Sequence, residues 1–418
     1  MRIEDVLAVP VRTGFFTDDQ LAIRAGAAHD GFDYLGEPVI PGFRRVRQPG
    51  EAVSVMLLLA DGSVEYGDCA AVQYSGAGGR DPLFRAADGV AAVLEHLAPV
   101  LRGAELDDGF RALAARLDAV RVEGRPLHTA VRYGTSQALL AAVARARRLT
   151  PAEVIRDEYA TGAPIEPVPL YAQTGDERRS NAEKMILKRV DVLPHGLINN
   201  VAEKFGARGE LLEDYVDWLV RRIGELAPDP DYRPRLHLDL YGSAGLAFDG
   251  DLDAIADYLA GLGRRAEPYE LAVEHPIDAG SRDAQLAVFA RLRAALDARG
   301  SRVRIVVDEW CNTLEDVRAF VAARAADVIH VKTPDLGSIA DTVEALLLVR
   351  AAGMEALCGG TCNETDRSAQ LSAHLAMACG AAQVLAKPGM GVDEGLMIVG
   401  NEMARTAALV RARAAVAR

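Results

Sequence analysis

The chain has few cysteines and no long apolar run. Five cysteines among 418 residues, an odd number, favour reduced thiols over a disulfide framework. The longest apolar stretch, Ala52 to Ala60, is interrupted by Ser54 and is far shorter than the roughly 20 residues that cross a bilayer. The charged segment Met1 to Asp5 lacks the apolar core of a signal peptide. We therefore expect a cytoplasmic protein without a membrane partner.

The chain also has fewer positively charged residues than negatively charged ones. Lysine and arginine total 47 against 60 aspartates and glutamates, which gives a formal net charge of −13 and a pI near 5.2. Nucleic acids and anionic membranes attract clustered Lys and Arg, so small molecules are the expected ligands. Cys358 and Cys362 are close in sequence, but no second pair lies nearby and structural zinc sites use about four ligands. We do not expect zinc.

The first part of the chain has the pattern of a mixed α and β domain. Up to about residue 80 it indicates short strands and turns, with a hairpin whose turn is Asp61 and Gly62. Helical patterns follow, one capped at Asp81 and Pro82 and another, rich in alanine, over 129–148.

Beyond Pro169 the pattern changes to short apolar strands that alternate with helical segments, as in a parallel sheet. Counted by the residue at which each strand ends, there are eight strands: Gln173, His195, Asp239, Glu274, Asp308, Lys332, Thr361 and Lys387. Eight strand–helix units in about 250 residues predict a (β/α)₈ TIM-type barrel. We assign residues 1–160 to an N-terminal α+β capping domain and residues 161–418 to the barrel.

Five of these strands end in residues with catalytic chemistry. A TIM-type barrel collects its active site from the carboxyl ends of successive strands, so residues far apart in sequence converge there. We predict that the barrel mouth holds three carboxylates, a lysine and a histidine: Asp239, Glu274, Asp308, Lys332 and His195.

This set suits metal-assisted proton abstraction. Mg²⁺ prefers oxygen ligands and keeps open positions for water or substrate, and the three carboxylates would supply three ligands. A metal on a substrate carboxylate stabilises the charge that forms when the adjacent proton leaves. We predict that Lys332 is the base, with a pKa lowered towards 7–8 by burial and the cation, and that His195 acts on the opposite face.

Some residues with similar chemistry have simpler interpretations. His237 and His275 lie beside the carboxylates in sequence, and we interpret them as supporting or core residues. The glycine-rich segment 75–80 lacks the G-x-G-x-x-G spacing and the lysine of a phosphate loop. We expect it to be a turn beneath the cap.

Five longer segments, 67–84, 184–200, 332–337, 358–365 and 387–395, resemble methylaspartate ammonia-lyase, a family of the enolase superfamily. The resemblance runs nearly end to end. It implies an enolase-like barrel with an N-terminal cap, a homodimer, Mg²⁺ with a supporting monovalent cation such as K⁺, and elimination of ammonia from 3-methylaspartate to give mesaconate.

The resemblance also assigns roles by position. Asp239, Glu274 and Asp308 match the family's metal ligands, Lys332 its base for the (S)-configured carbon, and His195 the histidine of the other face. Further positions match the family's substrate-binding pocket: Gln73, Gln173, Thr361, Cys362 and Leu385.

The chain departs from the family pattern at three positions. His330 stands where the family has a glutamine that binds a substrate carboxylate, and Tyr171 and Leu357 stand where other aromatic residues are expected. Because alternate residues of a strand face the same side, positions 330 and 332 share the pocket. The substrate is therefore open: 3-methylaspartate, a related amino acid, or a hydroxy acid that is dehydrated. A non-catalytic metabolite-binding relative is the remaining alternative.

Overall fold

The structure of the protein, a computed structural model, describes residues 1–416. The N-terminal part contains a three-stranded antiparallel sheet in the order β1-β4-β5 and two short hairpins, β2–β3 and β6–β7. The strands are β1 Ile3–Asp18, β2 His29–Asp30, β3 Asp33–Tyr34, β4 Arg47–Leu59, β5 Val64–Ala70, β6 Arg121–Val122 and β7 Arg125–Pro126.

The main sheet of the cap corrects one expectation and confirms another. Its first two strands are long, with 16 residues in β1 and 13 in β4, where short strands were predicted. Alternate side chains of β4, among them Val53, Val55 and Leu57, are fully buried, and such alternation is what a one-sided sheet requires. The predicted hairpin is confirmed, because β4 pairs with β5 in antiparallel register around Gly62.

Six helices pack with this sheet, and a π-helical turn at Val93–Leu97 links the second to the third. They are α1 Gln20–Arg24, α2 Ala86–Ala92, α3 Ala98–Leu101, α4 Phe110–Asp118, α5 Thr129–Arg147 and α6 Pro151–Tyr159. The longest, α5, lies directly on β5: a Cβ atom added at Gly67 would come within 2.1 Å of the Gly134 carbonyl oxygen. Glycine is therefore required for this close approach.

The prediction that Asp81 and Pro82 cap the next helix along the chain was wrong. The helix begins at Ala86, after Arg85, which makes no side-chain cap. The Asp81 carboxylate instead accepts a hydrogen bond of 2.8 Å from the backbone N–H of Thr129, the first residue of α5. The carboxylate thus caps a helix 48 residues further along the chain, a partner that local spacing does not reveal.

Eight parallel strands close the barrel, in the order β10-β11-β12-β13-β14-β15-β8-β9. They are β8 Leu170–Tyr171, β9 Val192–His195, β10 Arg235–Asp239, β11 Leu271–Glu274, β12 Arg304–Val307, β13 Val328–Val331, β14 Glu355–Cys358 and β15 Gln383–Leu385. The predicted barrel with its cap is confirmed. A separate cluster of buried side chains includes Tyr171, Leu357 and Leu385 and draws on the barrel strands alone.

In the described part of the chain, ten α-helices accompany the barrel strands. They are α7 Arg178–Leu187, α8 Glu210–Leu226, α9 Ser243–Ala247, α10 Leu252–Arg265, α11 Arg282–Ala298, α12 Leu314–Ala323, α13 Thr333–Leu336, α14 Ile339–Ala351, α15 Asp366–Cys379 and α16 Asp393–Val416. Within residues 1–416, no helix has the length and apolarity needed to cross a bilayer.

The cap meets the barrel at the carboxyl ends of the strands. The Gln73 N–H donates to Thr361 Oγ1 at 3.2 Å, and Asn312 Nδ2 donates to the Gly78 carbonyl at 2.7 Å. Arg80 Nε donates to Asp335 Oδ2 at 2.8 Å. The glycine-rich segment is therefore a turn by which the cap contacts the barrel mouth, as predicted.

Candidate active site

A buried pocket lies between the cap and the barrel mouth, and every predicted site residue except Glu274 lines it. Its lining comprises Val72, Gln73, Tyr74 and Arg80 from the cap and Tyr171, Gln173, His195, Asp239, Tyr241, Asp308, His330, Lys332, Gly360, Thr361, Cys362, Leu385 and Met390 from the barrel. Glu274 is 1% exposed and is covered by His330. A wider depression at the opposite end of the barrel contains Arg235 and Glu355, but these charges pair at 2.7 Å.

Strand register brings the three carboxylates together. Asp239 is paired with Glu274 across β10 and β11, and Asp308 follows β12 directly. All three are at most 2% exposed. Burial, with the neighbouring charge of Glu309, raises the pKa of Asp308 to about 6. Burial and the charges of Glu274 and Glu309 also raise the pKa of Asp239 well above its usual range.

The residues whose metal-binding atoms lie close together differ from the predicted set of three ligands. Among residues 1–416, atoms of Glu274, Asp308 and His330 lie within 4.8 Å of one another, and Asp239 is not in this group. Asp239 Oδ2 lies 3.4 Å from His195 Nε2, and Asp239 Oδ1 accepts a hydrogen bond from the Tyr241 N–H at 3.1 Å. The role of Asp239 as a metal ligand stays a prediction.

Two imidazoles hold Glu274. His330 Nδ1 lies 2.6 Å from Glu274 Oε1, and His237 Nε2 lies 2.8 Å from Glu274 Oε2. Burial alone would raise the pKa of Glu274, but these histidines hold it well below its usual value. His237 therefore supports a predicted ligand, in agreement with its expected role.

Both ring nitrogens of His330 are used inside the protein. The Gly360 N–H donates to Nε2 at 3.3 Å, so the proton of the neutral ring is on Nδ1, where Glu274 accepts it. A Cβ atom at Gly359 would lie 1.8 Å from Nε2, so glycine is required beside the ring. Both nitrogens of His330 thus have partners within the protein, and its role in substrate binding stays a prediction.

Lys332 points at the carboxylates. Its Nζ donates to Asp308 Oδ2 at 2.6 Å and lies 4.0 Å from Glu309 Oε1. Burial is the largest single influence and lowers the pKa of Lys332, but the charges of Asp308, Glu309 and Asp335 together outweigh it, so the pKa is raised. The predicted fall towards 7–8 requires a cation that offsets these carboxylates, and it stays a prediction.

His195 ends β9 with a positive φ of 66°. Its Nδ1 accepts a hydrogen bond from the Leu197 N–H at 3.3 Å, which leaves the proton on Nε2, facing Asp239. Burial lowers the pKa of His195 to about 3. The ring is therefore neutral near pH 7 and presents an N–H donor to the site.

The predicted substrate residues lie on two sides of the pocket. Gln73 is held by its amide, since Nε2 donates to Asp18 Oδ2 at 2.8 Å and Cys362 Sγ donates to Oε1 at 3.1 Å. Burial raises the pKa of Cys362 to about 12, so it is a thiol and not a nucleophilic thiolate. Gln173 is 7% exposed and its Nε2 has no hydrogen-bond partner among the described residues.

Two charged residues of the site were missed from the sequence. Glu309 follows Asp308, and its pKa is lowered because Lys332, His275 and Arg80 outweigh burial. Arg80 reaches in from the cap, with Nη2 at 3.7 Å from Glu309 Oε1. Adjacency to Asp308 was the only available signal for Glu309. Nothing in the sequence marked Arg80, because its partners lie more than 200 residues away.

Family models match both parts of the chain. The model described as "Methylaspartate ammonia-lyase N-terminus" matches residues 1–160, and "Methylaspartate ammonia-lyase C-terminus" matches residues 163–412. The chain belongs to the methylaspartate ammonia-lyase family. It is 54% identical to the methylaspartate ammonia-lyase of Clostridium tetanomorphum over 99% of this chain and 100% of that one. It is 49% identical to that of Citrobacter amalonaticus, over 99% and 100%.

Solved structures agree with this assignment. The Mg complex of β-methylaspartase from Clostridium tetanomorphum has a TM-score of 0.94 at 54% identity, covering 99% of this chain and 100% of that chain. The Citrobacter amalonaticus enzyme containing (2S,3S)-3-methylaspartic acid has a TM-score of 0.96 at 50% identity, covering 98% and 100%. Muconate lactonizing enzyme of Pseudomonas fluorescens, at 20% identity and TM-score 0.62 over 90% and 84%, shares the fold. The protein is an enzyme, a carbon–nitrogen lyase.

Proposed function

We propose that the protein eliminates ammonia from 3-methylaspartate, giving mesaconate, or from a closely related amino acid. The observation that carries this proposal is the position of Lys332, whose Nζ lies in the pocket 2.6 Å from Asp308. A base at this position would lie beside the group that orients a substrate carboxylate through a metal. The relative from Citrobacter amalonaticus contains 3-methylaspartic acid in its structure.

The residues present fit Mg²⁺. Asp239, Glu274 and Asp308 offer hard oxygen donors, and Asp308 Oδ1 is buried without a hydrogen-bond partner among the described residues. Three carboxylates packed together repel one another and need a cation, and the Clostridium tetanomorphum relative is a Mg complex. A bound Mg²⁺ would stabilise negative charge that develops on a substrate carboxylate.

The side chains of the site have separate roles in this reaction. Lys332 removes the proton from the carbon adjacent to the distal carboxylate, once it has given up its own proton. His195, on the other side of the pocket, donates its Nε2–H to the developing charge or serves the opposite face. Four residues hold the substrate's carboxylates and amine: Gln73, Gln173, Thr361 and Cys362. Leu385 and Tyr171 bound the pocket.

His330 is our reason for keeping the substrate broader than 3-methylaspartate. Its nitrogens already serve Glu274 and Gly360, so one substrate carboxylate has fewer donors than a glutamine at this position would provide. The missing donor would weaken the binding of a related amino acid less, if its distal group or side chain differs from that of 3-methylaspartate. Dehydration of a hydroxy acid is the second candidate, because it uses the same base and metal without an amine pocket.

One experiment separates these reactions. Purified protein with Mg²⁺ is incubated with 3-methylaspartate, with related amino acids and with the matching hydroxy acids. The conjugated product is followed by ultraviolet absorbance, and ammonia is measured in parallel. Product with equal ammonia supports the lyase proposal, and product without ammonia supports dehydration. No product from any of these substrates would count against both.

Three further proposals follow from the family resemblance. We propose that a monovalent cation such as K⁺ supports activity, that the enzyme is a homodimer, and that it works in the cytoplasm. Titration of K⁺ against Na⁺ in the same assay, light scattering of the purified protein and cell fractionation would test them in turn. The proposed domain boundary near residue 160 is tested by limited proteolysis.

A further inference from the structure

A completely buried lysine lies beside the active site without a part in the proposed chemistry. Lys387 follows β15 and is 0% exposed. Its Nζ uses all three of its N–H donors, on Glu364 Oε1 at 2.7 Å, the Gly359 carbonyl oxygen at 2.8 Å and Thr333 Oγ1 at 3.0 Å. The ammonium group is therefore fully satisfied and has no donor left for a ligand.

Glu364, also 0% exposed, extends this contact to the cap. Its Oε1 accepts a second hydrogen bond from the Thr361 N–H at 3.0 Å, and its Oε2 accepts one from the Tyr133 hydroxyl at 2.8 Å. The Thr333 hydroxyl donates to the Tyr133 oxygen at 3.0 Å. The Lys387–Glu364 pair thus joins the segments that follow β13, β14 and β15 to helix α5 of the cap.

The joined segments carry predicted catalytic and binding groups. Thr333 is the residue after Lys332, and Thr361 precedes Cys362. Between them, the backbone of Gly360 is pressed against the pair. A Cβ atom at Gly360 would lie 2.2 Å from Glu364 Oε1 and 2.3 Å from Lys387 Nζ. The path of the 359–364 segment is therefore set by these two side chains.

A gain in stability alone does not explain a buried ion pair such as Lys387–Glu364. Moving two charges out of water costs about as much as their attraction returns, and well-packed apolar residues often replace buried ion pairs without loss. The hydrogen bonds of this pair go to backbone and side-chain atoms that border the pocket. This arrangement favours a role in positioning the segments that border the pocket.

We propose that Lys387 and Glu364 are positioning residues that keep Lys332 at a constant distance and angle from the substrate-binding segment 359–362. This inference rests on the proposed function. A base or a binding group misplaced by about 1 Å is enough to reduce a rate about 10²-fold. Neither residue touches the reacting atoms.

The main test compares Lys387→Met, Glu364→Gln and the double variant. Each single variant leaves a buried group without its partner, so both stability and kcat/KM should fall, kcat/KM by about 10²-fold. The double variant removes the unpaired charge and should recover most of the thermal stability. We expect its kcat/KM to remain about 10²-fold low, because the contacts to Gly359 and Thr333 are still missing. Recovery of kcat/KM together with stability would overturn the proposal.

A matched control exists at the other end of the barrel. Arg293 Nη1 donates to Asp327 Oδ2 at 2.7 Å and to the Val303 carbonyl oxygen at 2.8 Å, and the Ile305 N–H donates to Asp327 Oδ2 at 2.7 Å. This pair is also an ion pair with backbone contacts, although its side chains are 12% and 28% exposed, and it borders the amino end of β12. Arg293→Met and Arg293→Met/Asp327→Asn should lower stability and leave kcat/KM unchanged.

Two milder variants keep the test decisive if Lys387→Met does not fold. Thr333→Val removes only the contact beside Lys332, and we expect a lower kcat, by about 10-fold, with little change in KM. Tyr133→Phe removes the contact between Glu364 and the cap, and we expect a higher KM with a smaller change in kcat. Parental values of both constants in both variants would contradict the proposal. An inactive parent would instead contradict the proposed function.

Discussion

His330 Nδ1 lies 2.6 Å from Glu274 Oε1, the shortest of the contacts made by either imidazole that binds this carboxylate. Since the Gly360 N–H occupies the other nitrogen of the ring at 3.3 Å, His330 acts mainly on Glu274. Position 330 thus affects the metal-binding group and the substrate pocket together.

The first prediction concerns this position. His330→Gln should raise kcat/KM for 3-methylaspartate, because an amide can donate to a substrate carboxylate that the imidazole does not reach. One hydrogen bond to a charged group contributes about 1.5–3 kcal/mol, or roughly 10- to 150-fold. Steady-state kinetics of the parent and the variant on 3-methylaspartate measure the gain. His237→Gln is the control, since His237 binds the other oxygen of Glu274 but does not line the pocket. An unchanged kcat/KM in His330→Gln would show that the position does not set specificity.

The second prediction concerns the metal. Chelation should abolish turnover and Mg²⁺ should restore it, because burial and the repulsion between neighbouring carboxylates raise the pKa values of Asp239 and Asp308, and a cation relieves that repulsion. Mg²⁺ at about 100 times its Kd should also stabilise the fold by about 2.7 kcal/mol, measured as a rise in Tm. In Asp308→Asn this rise should shrink. Full activity in excess EDTA would exclude the metal-assisted mechanism.

The third prediction concerns the base. Lys332→Ala should lower kcat by about 10²–10⁴-fold, the usual contribution of a general base, and leave the protein folded. Exchange of solvent deuterium into the substrate, followed by NMR, should slow in parallel. Lys184→Ala, which removes a half-exposed lysine paired with Asp393 on the surface, is the control. Normal exchange in Lys332→Ala would mean that another group removes the proton.

The fourth prediction concerns the opposite face of the pocket. His195→Ala should change the ratio of kcat/KM between diastereomers of 3-methylaspartate, because the histidine and Lys332 approach the substrate from different sides. His275→Ala is a useful comparison: His275 is also fully buried beside the carboxylates but does not line the pocket. If His195→Ala slows both diastereomers equally, the histidine has no face-specific role.

The fifth prediction concerns acid stability. Glu402 on α16 has a lowered pKa, chiefly because His374 Nε2 donates to its Oε1 at 3.1 Å, while burial opposes the shift. A carboxyl whose pKa is lower in the folded state stabilises the fold above its unfolded pKa of about 4.3, and this stabilisation disappears as the pH falls through the folded value. Glu402→Gln should therefore lose about 1 kcal/mol at pH 7.

The difference in the free energy of unfolding between Glu402→Gln and the parent should vanish in strong acid. Urea unfolding of Glu402→Gln and the parent at several pH values measures it. Glu394→Gln, a substitution at the start of the same helix, is the control. A destabilisation of Glu402→Gln that stayed constant down to low pH would contradict the linkage.

Much of the architecture could be predicted from the order of residues. Strand ends recur at intervals close to one strand–helix unit, so Asp239, Glu274, Asp308 and Lys332 had to meet at the barrel mouth once the barrel closed. Short apolar runs predicted the barrel strands, and the helical patterns between them predicted the helices. Positions such as Gln73 and Leu385 came only from resemblance to the family, because an isolated glutamine or leucine carries no chemical signal.

Only the tertiary structure decided which partners these residues have. The charges of Asp308 and Glu309 raise the pKa of Lys332 against the effect of burial, and the nitrogens of His330 contact Glu274 and Gly360. Arg80 enters the site from the cap, and Lys387 contacts Glu364 inside the barrel mouth. These facts depend on distances between residues that are remote in sequence. Strand spacing determines which residues meet, while the protonation state and hydrogen bonds of each depend on the exact three-dimensional neighbours that packing supplies.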